Sequence, residues 1–116
     1  MARSFGFALE GLAMLLRTQP NFVGHVGLAC LALALGVALR LSAPELALIV
    51  VTIAIVLVVE AFNTALETLG DLVSPGYHPL IKRAKDVSAA AVLVAALGAV
   101  GVGLLLFLPR LVSMLK

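Results

Sequence analysis

Residues 58–71 read VVEAFNTALETLGD, the end of a long apolar run that nonetheless carries Glu60, Asn63, Thr64, Glu67 and Asp71. At ~100° of rotation per residue, all five polar side chains project from one side of a helix, within ~60° of Glu60. Each ionised carboxylate near the centre of a bilayer costs about 2.5–3.5 kcal/mol on insertion scales, so a lipid-facing stripe is excluded and a functional face is the default reading. The cost falls toward the interface, where Glu67 and Asp71 are expected, while Glu60 lies deeper and most needs a reason to be there. Hydrogen bonding between helices accounts for Asn63 or Thr64 taken singly. It does not require carboxylates at three successive levels.

The remainder of the 116-residue chain fits a membrane setting. It is 63% hydrophobic and 12% charged and has no Trp, far from the balance of a soluble domain. One domain of this length cannot bury so much apolar surface within itself, so lipid or sister subunits must cover the rest, and self-association is expected. The net charge of +2 is small and its basic residues are scattered. No cluster of Lys and Arg interleaved with aromatics suggests a nucleic-acid partner. Cys30 stands alone, which rules out an intrachain disulfide.

Around the stripe, the patterning predicts an all-α integral membrane protein with an N-terminal amphipathic surface helix and three transmembrane helices. In residues 1–18, Arg3, Glu10 and Arg17 fall on one helical stripe and Phe5, Leu9, Leu12 and Leu16 on the opposite face, as a helix lying at the interface requires. Pro20 breaks the pattern, and spans are expected at 22–41, 46–72 and 87–108. The segment 73–86 is read as the one sustained polar loop, because Pro75, Gly76 and Pro79 oppose a continuous helix. Pro109 is read as the end of the third span. Arg3, Arg17, Lys82, Arg83 and Lys85 share one side of this topology, against Arg40, Arg110 and Lys116. The bias puts the N-terminus and the 73–86 loop in the cytoplasm. Ala91, Ala95, Ala99 and Gly103 form a seam of small residues along which another helix can approach.

The loop adds Tyr77, His78, Lys82, Arg83, Lys85 and Asp86 beside the stripe. Cations able to hold phosphate oxygens thus lie near carboxylates able to hold Mg2+, a combination suited to nucleotide chemistry. Taken alone, His78 reads as a surface histidine and the Lys/Arg group as a positive-inside flank.

These residues resemble the small prokaryotic lipid kinases that include diacylglycerol kinase and undecaprenol kinase. The match is carried by ExxNTALExxxD at 60–71, by YHPLIKRAKDVSAAAVLVAA from Tyr77, by FALEGL at 7–12 and by FLP at 107–109, so it covers nearly the whole chain. In detail the residues look closer to the undecaprenol-kinase branch. The resemblance implies a homotrimer in the bacterial cytoplasmic membrane that uses Mg2+ and ATP to phosphorylate a lipid alcohol, undecaprenol or diacylglycerol. It implies Glu60 as general base, Asn63 as a positioning group, Glu67 as the Mg2+ ligand and Lys85 on the phosphates. By the same likeness His78 and Asp86 help seat the nucleotide, and Tyr77 and Arg83 match the pattern without a defined role. The absence of a Walker loop is no obstacle, because phosphoryl transfer depends mainly on positioning and charge neutralisation.

One departure bears on the metal. Where many relatives carry Glu-x-Asn-x-basic-x-His before the first span, this chain has Gln19, Asn21, Val23 and His25. The second metal ligand implied by the family becomes an amide that brings an oxygen but no charge. Gly6 and Val23 likewise stand where basic residues are usual. These departures leave open a non-catalytic paralogue or a kinase with altered metal demand, and Gly-rich helices with a buried carboxylate also suit an ion- or proton-translocating subunit.

Overall fold

A computed structural model describes residues 1–116 and is entirely helical, with α1 at Ala2–Thr18, α2 at Pro20–Ala38, α3 at Ala43–Val73 and α4 at Pro79–Met114. Three of these, α2, α3 and α4, are long and apolar enough to cross a membrane. α3 and α4 form the principal packing pair, α2 lies against α3, and α1 contacts α2.

Each turn is fixed by local chemistry. Gln19 is an extended residue that closes α1 and opens α2, with Pro20 at a first-turn position where its missing N–H costs nothing. The α2–α3 turn ends in a capping box: Ser42 Oγ accepts from the Glu45 backbone N–H at 3.3 Å, and Glu45 Oε1 accepts from the Ser42 N–H at 2.9 Å. Arg40, at φ 59, makes the left-handed turn between the two helices. Arg110 then reaches across from α4, donating through Nη1 to the carbonyls of Leu39 and Arg40 and through Nη2 to Glu45 at 2.8 Å. Carbonyls left unpaired at the end of α2 are thereby satisfied by a side chain from another helix. Gly36 lets the hairpin close: a Cβ there would lie 3.0 Å from Leu46 Cδ2 and 3.2 Å from Leu41 Cδ1.

Two expectations are corrected. The segment expected as a loop over 73–86 is non-helical only at 74–78, because Pro79 sits in the first turn of α4 and His78 Nδ1 accepts from the Leu80 N–H at 3.1 Å, capping that helix. Lys82, Arg83, Lys85 and Asp86 are therefore helical residues. Nor does Pro109 end α4, which continues through it to Met114. A proline forfeits one backbone bond and crowds the preceding turn, a local cost that apolar helices tolerate when the rest of the helix and its neighbours hold.

The chain alone buries little. Leu15, Phe22, Leu41, Ile49 and Val56 are its buried apolar residues, and α4 has none. Against that background one buried residue stands out, Glu60, at 7% exposure.

Candidate functional site

Glu60 points from α3 toward α2, where His25 Nε2 lies 3.0 Å from its Oε1. Pro20 opens α2, and His25 follows in the second turn of that helix. One helical turn further along α3, Asn63 meets α4: Ser88 Oγ donates to Asn63 Oδ1 at 2.7 Å. That bond turns the amide so that Nδ2 faces Glu67 Oε1 at 3.4 Å. Thr64, although on the same face, donates its hydroxyl to the Glu60 carbonyl at 3.1 Å, and Thr68 does the same to Thr64. Both threonines are thus engaged with their own helix.

Toward the α3–α4 turn, Lys85 Nζ pairs with Asp71 Oδ1 at 2.5 Å. Gly70 permits this approach, since a Cβ there would come within 3.3 Å of both Ile81 Cγ2 and Lys85 Cε. Lys82 and Asp86 pair one turn apart on the outer surface of α4 at 2.6 Å. Tyr77 and Arg83 are exposed. Gln19, at the α1–α2 junction, is half-buried and is not among the hydrogen-bond partners of Glu67.

The chain by itself therefore assembles Glu60, Asn63 and Glu67 into a row, with Lys85 drawn to the same end by Asp71. Exposed Glu67 offers hard carboxylate oxygens, while Asn63 Oδ1 is engaged by Ser88, and Mg2+ characteristically takes one or two carboxylates together with phosphates and water. No group of three carboxylate, His or Cys side chains forms a self-sufficient metal cage. The donor set suits a cation that arrives with a phosphate.

Two polar partners went unrecognised in the sequence reading. Ser88 stands in an alanine-rich run, and it is the one hydroxyl of α4 before Ser113. His25 was noted within a motif but given no role. The S-x-x-E pattern at 42–45 is a capping signature that could have placed the start of α3.

A 320 Å³ cavity lies between α2, α3 and α4, with His25 at its polar end and Ile53, Val56, Val100 and Phe107 among its apolar walls. A second groove of 740 Å³ runs between α1 and the Ala61–Leu72 part of α3.

Comparison with known proteins decides the family: the model for "Prokaryotic diacylglycerol kinase" matches residues 6–107. The chain belongs to the prokaryotic diacylglycerol kinase family. This diacylglycerol-kinase-family protein is 40% identical over 109 residues to the undecaprenol kinase of Bacillus subtilis (strain 168), covering 94% of this chain and 89% of that one. It is 41% identical over 113 residues to a diacylglycerol kinase of Synechocystis sp., covering 97% of this chain and 65% of the relative. The diacylglycerol kinase of Escherichia coli (strain K12) is 31% identical over 98 residues. Membership makes the diacylglycerol-kinase-family protein a lipid kinase, with three membrane-spanning helices to carry it.

Proposed function

We propose that this protein transfers the γ-phosphate of ATP to the hydroxyl of a membrane lipid alcohol, with undecaprenol preferred slightly to diacylglycerol. The observation that carries the proposal is a buried carboxylate, Glu60, at the head of a row that leads through Asn63 to Glu67 and a cation-bearing helix. In the step assigned here, the acceptor O–H bond breaks and its proton passes to the Glu60 carboxylate. The freed oxygen bonds to the γ-phosphorus, the bond from that phosphorus to the β-phosphate bridging oxygen breaks, and ADP leaves with the electron pair.

Asn63, its amide fixed by Ser88, presents Nδ2 to the reacting phosphoryl oxygens. Lys85 exchanges Asp71 for phosphate oxygens, while His78, Asp86, Tyr77 and Arg83 border the nucleotide. Glu67, with an amide oxygen from Gln19, would hold Mg2+, whose charge would neutralise the phosphates. The apolar cavity below His25 gives the acceptor's hydrocarbon a place beside the base. Its apolar walls suit a long uncharged tail, and the chain is about as similar to the Bacillus subtilis undecaprenol kinase as to the Synechocystis diacylglycerol kinase, so both acceptors enter the test.

The assembly we propose is a homotrimer in the bacterial cytoplasmic membrane, with α1 on its cytoplasmic surface and the 74–78 turn on the same side. The bare apolar faces of α3 and α4 supply the surface for it. The test is transfer of labelled phosphate from Mg-ATP to undecaprenol and to diacylglycerol in mixed micelles. Transfer to both, faster to undecaprenol, is expected. Proton flux through liposomes without ATP, together with no labelled lipid, would replace this reading with ion translocation.

Ser88 gives a finer test. Ser88→Ala removes the donor that sets the Asn63 amide, and a lost neutral hydrogen bond of about 0.5–1.5 kcal/mol corresponds to a roughly two- to tenfold lower kcat. KM for the lipid should hold steady. A rise in lipid KM larger than the fall in kcat would mean that Ser88 contacts the lipid instead.

A further inference from the structure

We infer that His25 is a positioning residue for phosphoryl transfer, holding the Glu60 carboxylate in the orientation from which it takes the acceptor's proton; this rests on Glu60 being the general base. Glu60 is the buried charged side chain of the fold, and the contact it receives from another helix is His25 Nε2, 3.0 Å from Oε1. The glutamate side chain is 9% exposed and the imidazole 27%, and the imidazole also lines the apolar cavity between α2, α3 and α4. A glutamate has three rotatable side-chain bonds, and a base must be held within hydrogen-bond reach of the proton it abstracts. Asn63 and Thr64, the polar neighbours on α3 itself, do not supply that restraint, since Asn63 is bonded to Ser88 and Thr64 to the Glu60 backbone carbonyl.

Adhesion between α2 and α3 does not account for the pair. The hairpin is already closed at its other end by Gly36 against Leu41 and Leu46, and by Arg110 across the turn. A polar pair at a helix interface is often no more stabilising than apolar side chains of the same volume, so packing alone does not call for a histidine at this position. Apart from Cys30, His25 is the one titratable side chain of α2, and it stands at the level of the carboxylate.

The experiment measures kcat and both KM values for wild type, Glu60→Gln, His25→Leu, His25→Gln and the Glu60→Gln/His25→Leu double variant, using undecaprenol and diacylglycerol as acceptors. Circular dichroism and gel filtration in detergent confirm that each is folded. His25→Leu keeps the volume and removes the polar contact. It is expected to lower kcat about tenfold to a hundredfold, with KM for ATP unchanged. His25→Gln, which returns an N–H donor near the Nε2 position, should recover most of that loss. In the Glu60→Gln background His25→Leu should cost nothing further, because a positioning residue has no role once the base is gone.

Wild-type kcat in His25→Leu overturns the inference while leaving the base assignment intact. Equal losses in the presence and absence of Glu60 overturn it too, showing that His25 acts on something else. Full turnover by Glu60→Gln instead brings down the underlying base assignment, and is read separately from the two histidine variants.

Discussion

Glu60→Gln is expected to lower kcat for lipid phosphorylation by roughly 10²- to 10⁴-fold, the range a positioned general base supplies, while KM for ATP changes little. The substitution keeps the shape and polarity of the side chain and removes its capacity to take a proton. Because the carboxylate is buried against His25 rather than exposed beside the proposed nucleotide groups, its loss should be felt in the chemical step and not in ATP capture. The amide also relieves α3 of an interior charge, so the variant is expected to fold at least as well as the wild type in detergent. The measurement is single-turnover transfer from labelled ATP with saturating undecaprenol. A kcat within threefold of wild type would remove Glu60 from the reaction and leave it as a link between α2 and α3.

Glu67→Gln is expected to produce the second large effect, a fall of roughly 10²- to 10³-fold at millimolar Mg2+, comparable to removing one preorganised electrostatic partner of a transition state. On the proposed assignment Gln19 heightens this sensitivity, since an amide brings no charge and Glu67 would carry the metal-facing charge alone. A Mg2+ titration at fixed ATP should show the midpoint moving to higher concentration in Glu67→Gln and to lower concentration in Gln19→Glu. The opposite shifts in the two variants are the distinguishing result. If Gln19→Glu leaves the midpoint where it was, residue 19 is no part of the metal shell; if Glu67→Gln does so as well, the metal is held by phosphates and water alone.

The row of polar groups on α3 was legible because the information is local. The row Glu60, Asn63, Glu67 follows from the pitch of one helix, and the structure keeps all three on α3 with Asn63 bridging toward Glu67. The limits of the polar loop were not legible, because proline carries two meanings: Pro79 was taken as a helix breaker but occupies the first turn, where its ring is compatible with helix, and His78 caps the orphan N–H at Leu80. His78 illustrates a further ambiguity, for the same imidazole proposed to border the nucleotide has a structural task at Nδ1.

The sequence by itself determined that this is a helical membrane protein with three spans, that one span bears a row of polar groups, and that the chain is a lipid-kinase family member. Hydropathy, helical pitch and family motifs depend on neighbours within a few turns or on residue identities in order. Only the tertiary structure decided which side chains those groups meet: His25 on Glu60, Ser88 on Asn63, Lys85 on Asp71 and Arg110 on Glu45. Each pair joins two helices, and its existence depends on their relative rotation and axial offset. In a bundle of Leu, Val, Ala and Gly many offsets bury similar apolar surface, so composition does not choose among them. The choice falls to a few close approaches and polar contacts, at Gly36, Gly70 and these four pairs, which form together only when the helices have packed.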